Sequence, residues 1–236
     1  MRTDLDRAQR SDGAPPQVAI DGPSGAGKST IAQAAAKQLG WAYIDTGALY
    51  RAVGLAVMRA GADTKLASAV AACLPEIALD VQYENGEQQV YIKGENVSEA
   101  IRTPEASLAA SDVGKVPEVR AFLLQLQRDL AAAQPSILDG RDIGTVVLPH
   151  APVKIYLTAT AQERAQRRHA QLAEKGIDEP FEKVLEEVNA RDHQDMNREI
   201  APLKQAQDAI VLDTTGQTLE ESIQAVVQMM MGECHV

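Results

Sequence analysis

The chain has 236 residues, 45% of them hydrophobic, which is enough apolar content to bury a core and excludes a disordered polymer. Its 23 basic and 33 acidic residues leave a formal net charge of −10, which disfavours loose attraction to nucleic acid or to an anionic membrane. Only Cys73 and Cys234 are present, without Cys-x-x-Cys or Cys/His ligand spacing, so neither a disulfide scaffold nor a zinc site is expected.

Residues 1–16 are polar and read as a flexible tail without the apolar stretch of a secretory signal. No later run approaches the roughly 18 apolar residues of a membrane span, so a cytoplasmic protein without a membrane partner is expected. "QVAID" reads as a strand, the following glycine-rich stretch as a loop, and "STIAQAAAKQLG" as a helix that Gly40 caps. "WAYID" reads as a second short strand and "GALYRAVGLAVMRAG" as a helix ending at Gly61. "IALDVQYENGEQQVYIKGENV" alternates with a period near two on either side of Asn85-Gly86, a strong hairpin signal. Beyond it come the helical "PEVRAFLLQLQRDLAAAQ" and three short apolar runs, "SILD", "VKIYLTA" and "AIVLDT". Strands alternating with helices imply an α/β fold with a parallel sheet covered on both faces. The hairpin marks residues 62–105 as an insertion, and 161–204 form a second, charge-dense helical block.

The sharpest chemical signal is Gly22-Pro23-Ser24-Gly25-Ala26-Gly27-Lys28-Ser29, followed by Thr30. It fits G-x-x-x-x-G-K-[ST] between a strand and a helix, the context that a phosphate loop requires. Glycines let successive N–H groups turn inward, and the helix start adds its positive end. Lys28 is expected to reach the β and γ phosphates and Ser29 to ligate Mg²⁺. A turn that merely caps a helix has no use for a Lys-Ser pair at this spacing. Neither the Asn-Lys-x-Asp of GTPases nor the Asp-Glu strand end of helicase-type motors is present.

Arginines mark a second anion site. Arg51 follows the second strand and Arg141 lies in "DGRD" at the end of a later one, so both should face the crevice at the carboxyl ends of the strands. Two guanidiniums there suit a phosphate-ester acceptor and argue against a neutral hydroxyl such as that of shikimate. Arg191, Asp195 and Arg198 are spaced to share one face if their segment is helical, as are Arg164 and Arg168. For Arg164, Arg167 and Arg168 a solvated surface charge is an equal alternative. Asp139 and Asp142 can also be read as turn or capping residues. The four histidines, His150, His169, His193 and His235, read as structural or surface, and Trp41, Tyr43 and Tyr91 as packing residues. A nucleotide-binding switch that hydrolyses ATP slowly is the rival of a different class.

Taken together, "IDGPSGAGKST", "YIDTGALYR", "LDGRDIGTVVLPHAPVKIYLTA", "ERAQRR" and "RDHQDMNREIAPL" resemble the bacterial cytidylate kinase family, in the same order from about residue 17 to 230. The resemblance implies a three-layer P-loop NTPase fold with a central five-stranded parallel sheet. It implies a core of 17–61, 106–160 and 205–236, a monophosphate-binding insertion at 62–105 and a helical lid with its hinges at 161–204. It implies transfer of a phosphoryl group from MgATP to CMP or dCMP by a monomer with no nucleic-acid partner. By resemblance, Arg51, Arg141 and Arg198 hold the acceptor phosphate, with Thr46 and Tyr50 beside it. Arg191 and Asp195 contact the sugar hydroxyls, and Ser111, Arg120 and Asp142 read the base. Arg164 or Arg168 is expected at the transferring group, and Asp139 near the metal's water shell. Thr30 and Thr46 stand where relatives often carry other small or hydroxyl residues.

Overall fold

The computed structural model describes residues 15–84, 86–174 and 176–233; most of the expected tail, the turn residue Asn85, Cys234 and His235 lie outside them. Strand β1 (Gln17–Asp21) is buried along its whole length, as a strand covered on both faces must be. It leads through the glycine loop into α1 (Lys28–Leu39), which ends on Gly40 in the left-handed conformation at φ 68°. β2 (Ala42–Asp45) follows, then α2 (Thr46–Arg59), whose N-terminus Asp45 caps by accepting a hydrogen bond from the Ala48 N–H. The short α3 (Ala67–Cys73) comes next, then β3 (Leu79–Glu84) and β4 (Glu87–Ile92), paired antiparallel as the alternation predicts. A two-residue strand β5 (Glu95–Asn96), not foreseen, adds to β4 and makes this a three-stranded sheet.

Helices α4 (Pro104–Val113) and α5 (Pro117–Ala133) return the chain to the core at β6 (Ser136–Gly140) and β7 (Val153–Thr158). Then come α6 (Ala161–Glu174), α7 (Phe181–Asn197), β8 (Ile210–Asp213) and α8 (Leu219–Glu233). The main sheet has five strands in the order β2-β6-β1-β7-β8, every neighbouring pair parallel. Its layers follow from the apolar residues. Ile31 and Ala35 of α1 pack with Met230 of α8 against Ile20, Ile155 and Leu157 on one face. Ala131 of α5 covers Ile44 and Leu138 on the other. Each fully buried isoleucine or leucine contributes about 1.5–3 kcal/mol relative to exposure. Among the described residues, no helix is long and apolar enough to cross a membrane.

The hairpin is tied to the edge of the main sheet by side chains. Gln88 accepts from the Asp45 N–H (2.8 Å) and donates to the Asp45 carbonyl (3.3 Å), standing in for a neighbouring strand at the end of β2. Tyr83 OH donates to the Tyr43 carbonyl at 3.4 Å. Loss of both Gln88 bonds leaves two backbone groups of Asp45 without their protein partner. Gln88→Ala is therefore expected to lower stability by about 1–2 kcal/mol. An unchanged urea midpoint at unchanged slope would show that these bonds hold nothing.

Between β6 and β7 the chain makes one wide helical turn over Ile143–Val147. The Leu148 N–H donates to the Ile143 carbonyl (2.7 Å) and the Val147 N–H to that of Asp142 (3.2 Å), both spanning five residues. Such turns recur at functional sites, and this one follows directly on Arg141 and Asp142.

Candidate functional site

β1 delivers the glycine loop to the carboxyl end of the sheet. Gly22 has φ +152°, and a Cβ there would lie 1.9 Å from the Leu157 carbonyl oxygen, so only glycine fits against β7. Gly25 and Gly27 take positive φ of 77° and 92°, the conformations that turn a loop's N–H groups inward. Lys28, the first residue of α1, is buried and donates to the Pro23 carbonyl at 2.8 Å. Burial, reinforced by repulsion from Arg141, pushes its pKa down to about 7. Ser29 Oγ donates to Asp139 Oδ2 at 2.6 Å, and Tyr43 OH donates to Oδ1 at 3.1 Å. Tyr43 is thus more than a packing residue. Burial and then the charge of Asp45 hold the Asp139 pKa above the ordinary carboxylate value, against the pull of Lys28. Ser24, Ala26 and Thr30 complete the loop and the start of α1, with Ala26 buried and Thr30 exposed.

The predicted acceptor residues converge beside this loop. Thr46 is buried at the start of α2 and donates to the Asp139 carbonyl at 2.7 Å. One turn on, Arg51 reaches back to pair with Asp45 at 2.7 Å. Arg120 of α5 lies 5.6 Å from the centre of the Tyr50 ring, within cation–π range, and pairs with Asp142. Arg198 approaches the other oxygen of Asp142 at 3.4 Å. Arg141 donates to Asp195 at 2.7 Å. Burial pushes the Asp195 carboxyl up, but Arg141, Arg191 and Arg198 outweigh it and hold its pKa below the ordinary value. Arg191 keeps solvent access, yet the protein packed around it and then the Arg141 charge lower its pKa. Ser111 sits partly buried on α4.

Two expectations need correction. Arg191 and Asp195 lie on α7, but Arg198 does not share their helix: α7 ends at Asn197 and Arg198 is extended at φ −65°, ψ 142°. Its side chain reaches Asp142 because the chain has already left the helix. Arg164 is not a solvated surface charge. It is 4% exposed, and its guanidinium donates to the carbonyls of Ala159 (2.9 Å) and Ser24 (3.0 Å) and to both oxygens of Asp192 (2.9 and 2.5 Å). Arg168, one turn on, is exposed. Arg167 is also tied in, donating to the carbonyls of Ala26 (3.4 Å) and Thr214 (2.8 Å).

Sequence reasoning missed Asp192, Gln88, Asp45 and Asp21. Asp45 carried a signal, since an aspartate just before a helical run is a capping residue. Asp192 and Gln88 carried none, because their partners lie 28 and 43 residues away. Among the described residues, no group of three or more His, Cys, Asp or Glu side chains could hold a metal ion. Arg141 acts on Lys28, and Arg51 and Arg141 both act on Arg191, so guanidiniums gather near the glycine loop, a chemistry suited to anions.

The model of a protein family described as cytidylate kinase matches residues 18–232. The chain is 49% identical over 212 residues to a cytidylate kinase of Caldicellulosiruptor saccharolyticus, covering 90% of this chain and 94% of that protein. It is 48% identical over 208 residues to a cytidylate kinase of Pasteurella multocida, covering 87% and 91%. A gluconokinase structure from Sinorhizobium meliloti 1021 superposes with a TM-score of 0.50 at 16% identity, covering 94% of each chain. That last likeness shows the α/β fold alone.

Proposed function

We propose, from the premise that the chain belongs to the cytidylate kinase family, that it transfers the γ-phosphoryl group of ATP to CMP or dCMP, giving ADP and CDP or dCDP. One observation carries this reading: a phosphate loop opens beside a second polar cleft in which Asp142 is held between Arg120 and Arg198.

The roles follow from chemistry. The backbone of residues 22–30 cradles the donor phosphates, and Lys28 exchanges the Pro23 carbonyl for phosphate oxygens. Arg51, Arg141 and Arg198 offset repulsion between the two anionic substrates, with Thr46 and Tyr50 beside the acceptor phosphate. Arg191 and Asp195 serve the sugar. Ser111, Arg120 and Asp142 serve the base: cytosine presents an exocyclic amine next to acceptors, and a carboxylate beside donors matches that edge. The acceptor phosphate is already anionic, so direct in-line transfer needs no general base and no phosphoenzyme, and the work is positioning and charge stabilisation. Arg164 is occupied by Asp192 and Ser24, so of the two lid arginines Arg168 is better placed to meet the transferring group.

The hard oxygens of Ser29 and Asp139, 2.6 Å apart, fit a magnesium ion that arrives with the nucleotide and keeps several waters. When bound, the ion neutralises phosphate charge. We read 62–105 as the monophosphate-side insertion and 161–204 as a lid whose closure excludes water. The same reading makes the protein a monomeric cytoplasmic enzyme of pyrimidine nucleotide metabolism, its acidic balance unsuited to nucleic acid.

An ADP-release assay with MgATP and each of CMP, dCMP, UMP, AMP and shikimate tests this. Rapid release only with CMP and dCMP is expected; equal release without acceptor would replace the kinase by a switch. A second measurement concerns Lys28, whose pKa near 7 leaves it largely neutral in the free protein at pH 8. Facing a triphosphate it must be charged, so binding of MgATP at pH 8 is expected to take up a proton. Calorimetry in buffers of different ionisation heats reads this directly, and a heat independent of buffer would contradict it.

A further inference from the structure

Asp21 is the last residue of β1, immediately before the glycine loop, and it is 4% exposed. It makes no hydrogen bond to Lys28 or to the acceptor-side arginines, although the charges of Lys28 and Asp142 reach it. Its two oxygens accept the N–H groups of Ile143 (2.8 Å) and Gly144 (2.7 Å), the first two residues of the wide turn that follows Arg141 and Asp142. These are donors that a helical turn leaves unpaired at its start, and here a carboxylate from another strand satisfies them. Space matches the bonding: a Cβ on Gly144 would lie 3.3 Å from the Asp21 carboxylate and 3.2 Å from the Lys154 side chain, so the turn sits tight against β1 and β7.

The far end of the turn is held as well. Arg128 of α5 donates to the carbonyls of Val147 (3.0 Å) and Val146 (3.1 Å). From the same helix Arg120 pairs with Asp142. The segment Arg141–Val147 is thus clamped at its start by β1, at its end by α5, and at Asp142 by α5 again.

We propose that Asp21 is a positioning residue that fixes the Arg141–Asp142 arm against the phosphate loop, setting the distance between acceptor and donor. The inference rests on the acceptor reading of Arg141 and Asp142 given above. Because β1 and the glycine loop are continuous at Asp21–Gly22, one residue registers both substrates to one strand. A small misplacement between reacting groups lowers rate by about ten- to a hundredfold.

The test compares Asp21→Asn, Arg128→Met, Arg128→Lys and Asp142→Ala with the unaltered enzyme. Thermal unfolding, the Kd of MgATP alone and the steady-state constants for CMP are read for each. Asparagine can accept only one of the two N–H groups, and its own amide opposes the other. Asp21→Asn is expected to lower kcat/KM for CMP by about ten- to a hundredfold while MgATP binds within about threefold of normal. Arg128→Met should move the same constants in the same direction, and Arg128→Lys should restore part of the loss. A folded Asp21→Asn enzyme with unchanged CMP constants, or one that loses ATP and CMP affinity in equal proportion, would overturn the proposal. Should Asp21→Asn fail to fold, unchanged CMP constants in Arg128→Met would do the same. Unchanged CMP affinity in Asp142→Ala would remove the acceptor reading itself and the inference with it; a defective Asp142→Ala beside an intact Asp21→Asn removes the inference alone.

Discussion

Lys28→Ala is expected to lower turnover by about 10²–10³-fold while CMP binds as before. In the reading proposed above this buried side chain brings a charge to the donor phosphates, and removal of one such preorganised group typically has this effect. It makes no hydrogen bond in the acceptor cleft, where it feels the opposed charges of Arg141 and Asp195, so CMP affinity should hold. The free protein gains little from this lysine. It is 6% exposed with the Pro23 carbonyl as its partner, and burial drags its pKa from 10.5 to about 7. Between those values the unfolded chain binds the proton and the folded chain does not, so this group's contribution to stability rises with pH across that window. Lys28→Met, of similar length without charge, should therefore unfold no earlier than the unaltered protein and lack that slope. A near-normal rate in Lys28→Ala would refute the role of the residue. A marked loss of stability in Lys28→Met would show that the lysine holds the loop together.

Asp142→Ala should abolish the preference for cytosine. The carboxylate is buried between two guanidiniums, and it can accept from the exocyclic amine that uracil lacks. A mismatched buried polar pair costs about 1–3 kcal/mol, or roughly ten- to a hundredfold in kcat/KM for CMP over UMP. Breaking a buried ion pair also destabilises by about 3–5 kcal/mol, because Arg120 and Arg198 are left facing one another. Asp142→Asn separates the two effects. It keeps the shape, yet its amide can both donate and accept, so selectivity should fall with a smaller loss of stability. An unchanged CMP-to-UMP ratio in both variants would sink the assignment of Asp142 to the base.

The sequence was informative wherever a signal is local. The glycine loop has a fixed spacing and each residue a separate physical reason, so Gly22 to Ser29 could be read without a structure. The alternation around Asn85-Gly86 disclosed the β3–β4 hairpin, because side chains on a strand report burial at a period of two. β5 escaped because two residues carry no period. The wide turn at Ile143–Val147 escaped because its stability comes from Asp21 and Arg128, far off in the chain. Arg198 was misplaced for a similar reason: spacing alone cannot tell the last helical residue from the first beyond it. For Arg164 spacing could not choose between a surface charge and a site residue, because the partner that buries it, Asp192, comes from the next helix.

The order of strands has a consequence for the birth of the protein. β1 has both of its neighbours from far along the chain: Gln17 lies opposite Ser136, and Val18 opposite Val153. On the ribosome, where earlier segments emerge first, the opening strand must wait unpaired until β6 has emerged, and stays open on its other side until β7 follows. The apolar cluster joining α2 to α5, with Leu49, Val53, Val57 and Leu123, can gather meanwhile. Long-range parallel pairing of this kind is slow. The glycine loop hangs from the strand that waits, so a half-made chain has no grip on nucleotide, and the capacity to bind it arrives in one late step with the closing of the sheet.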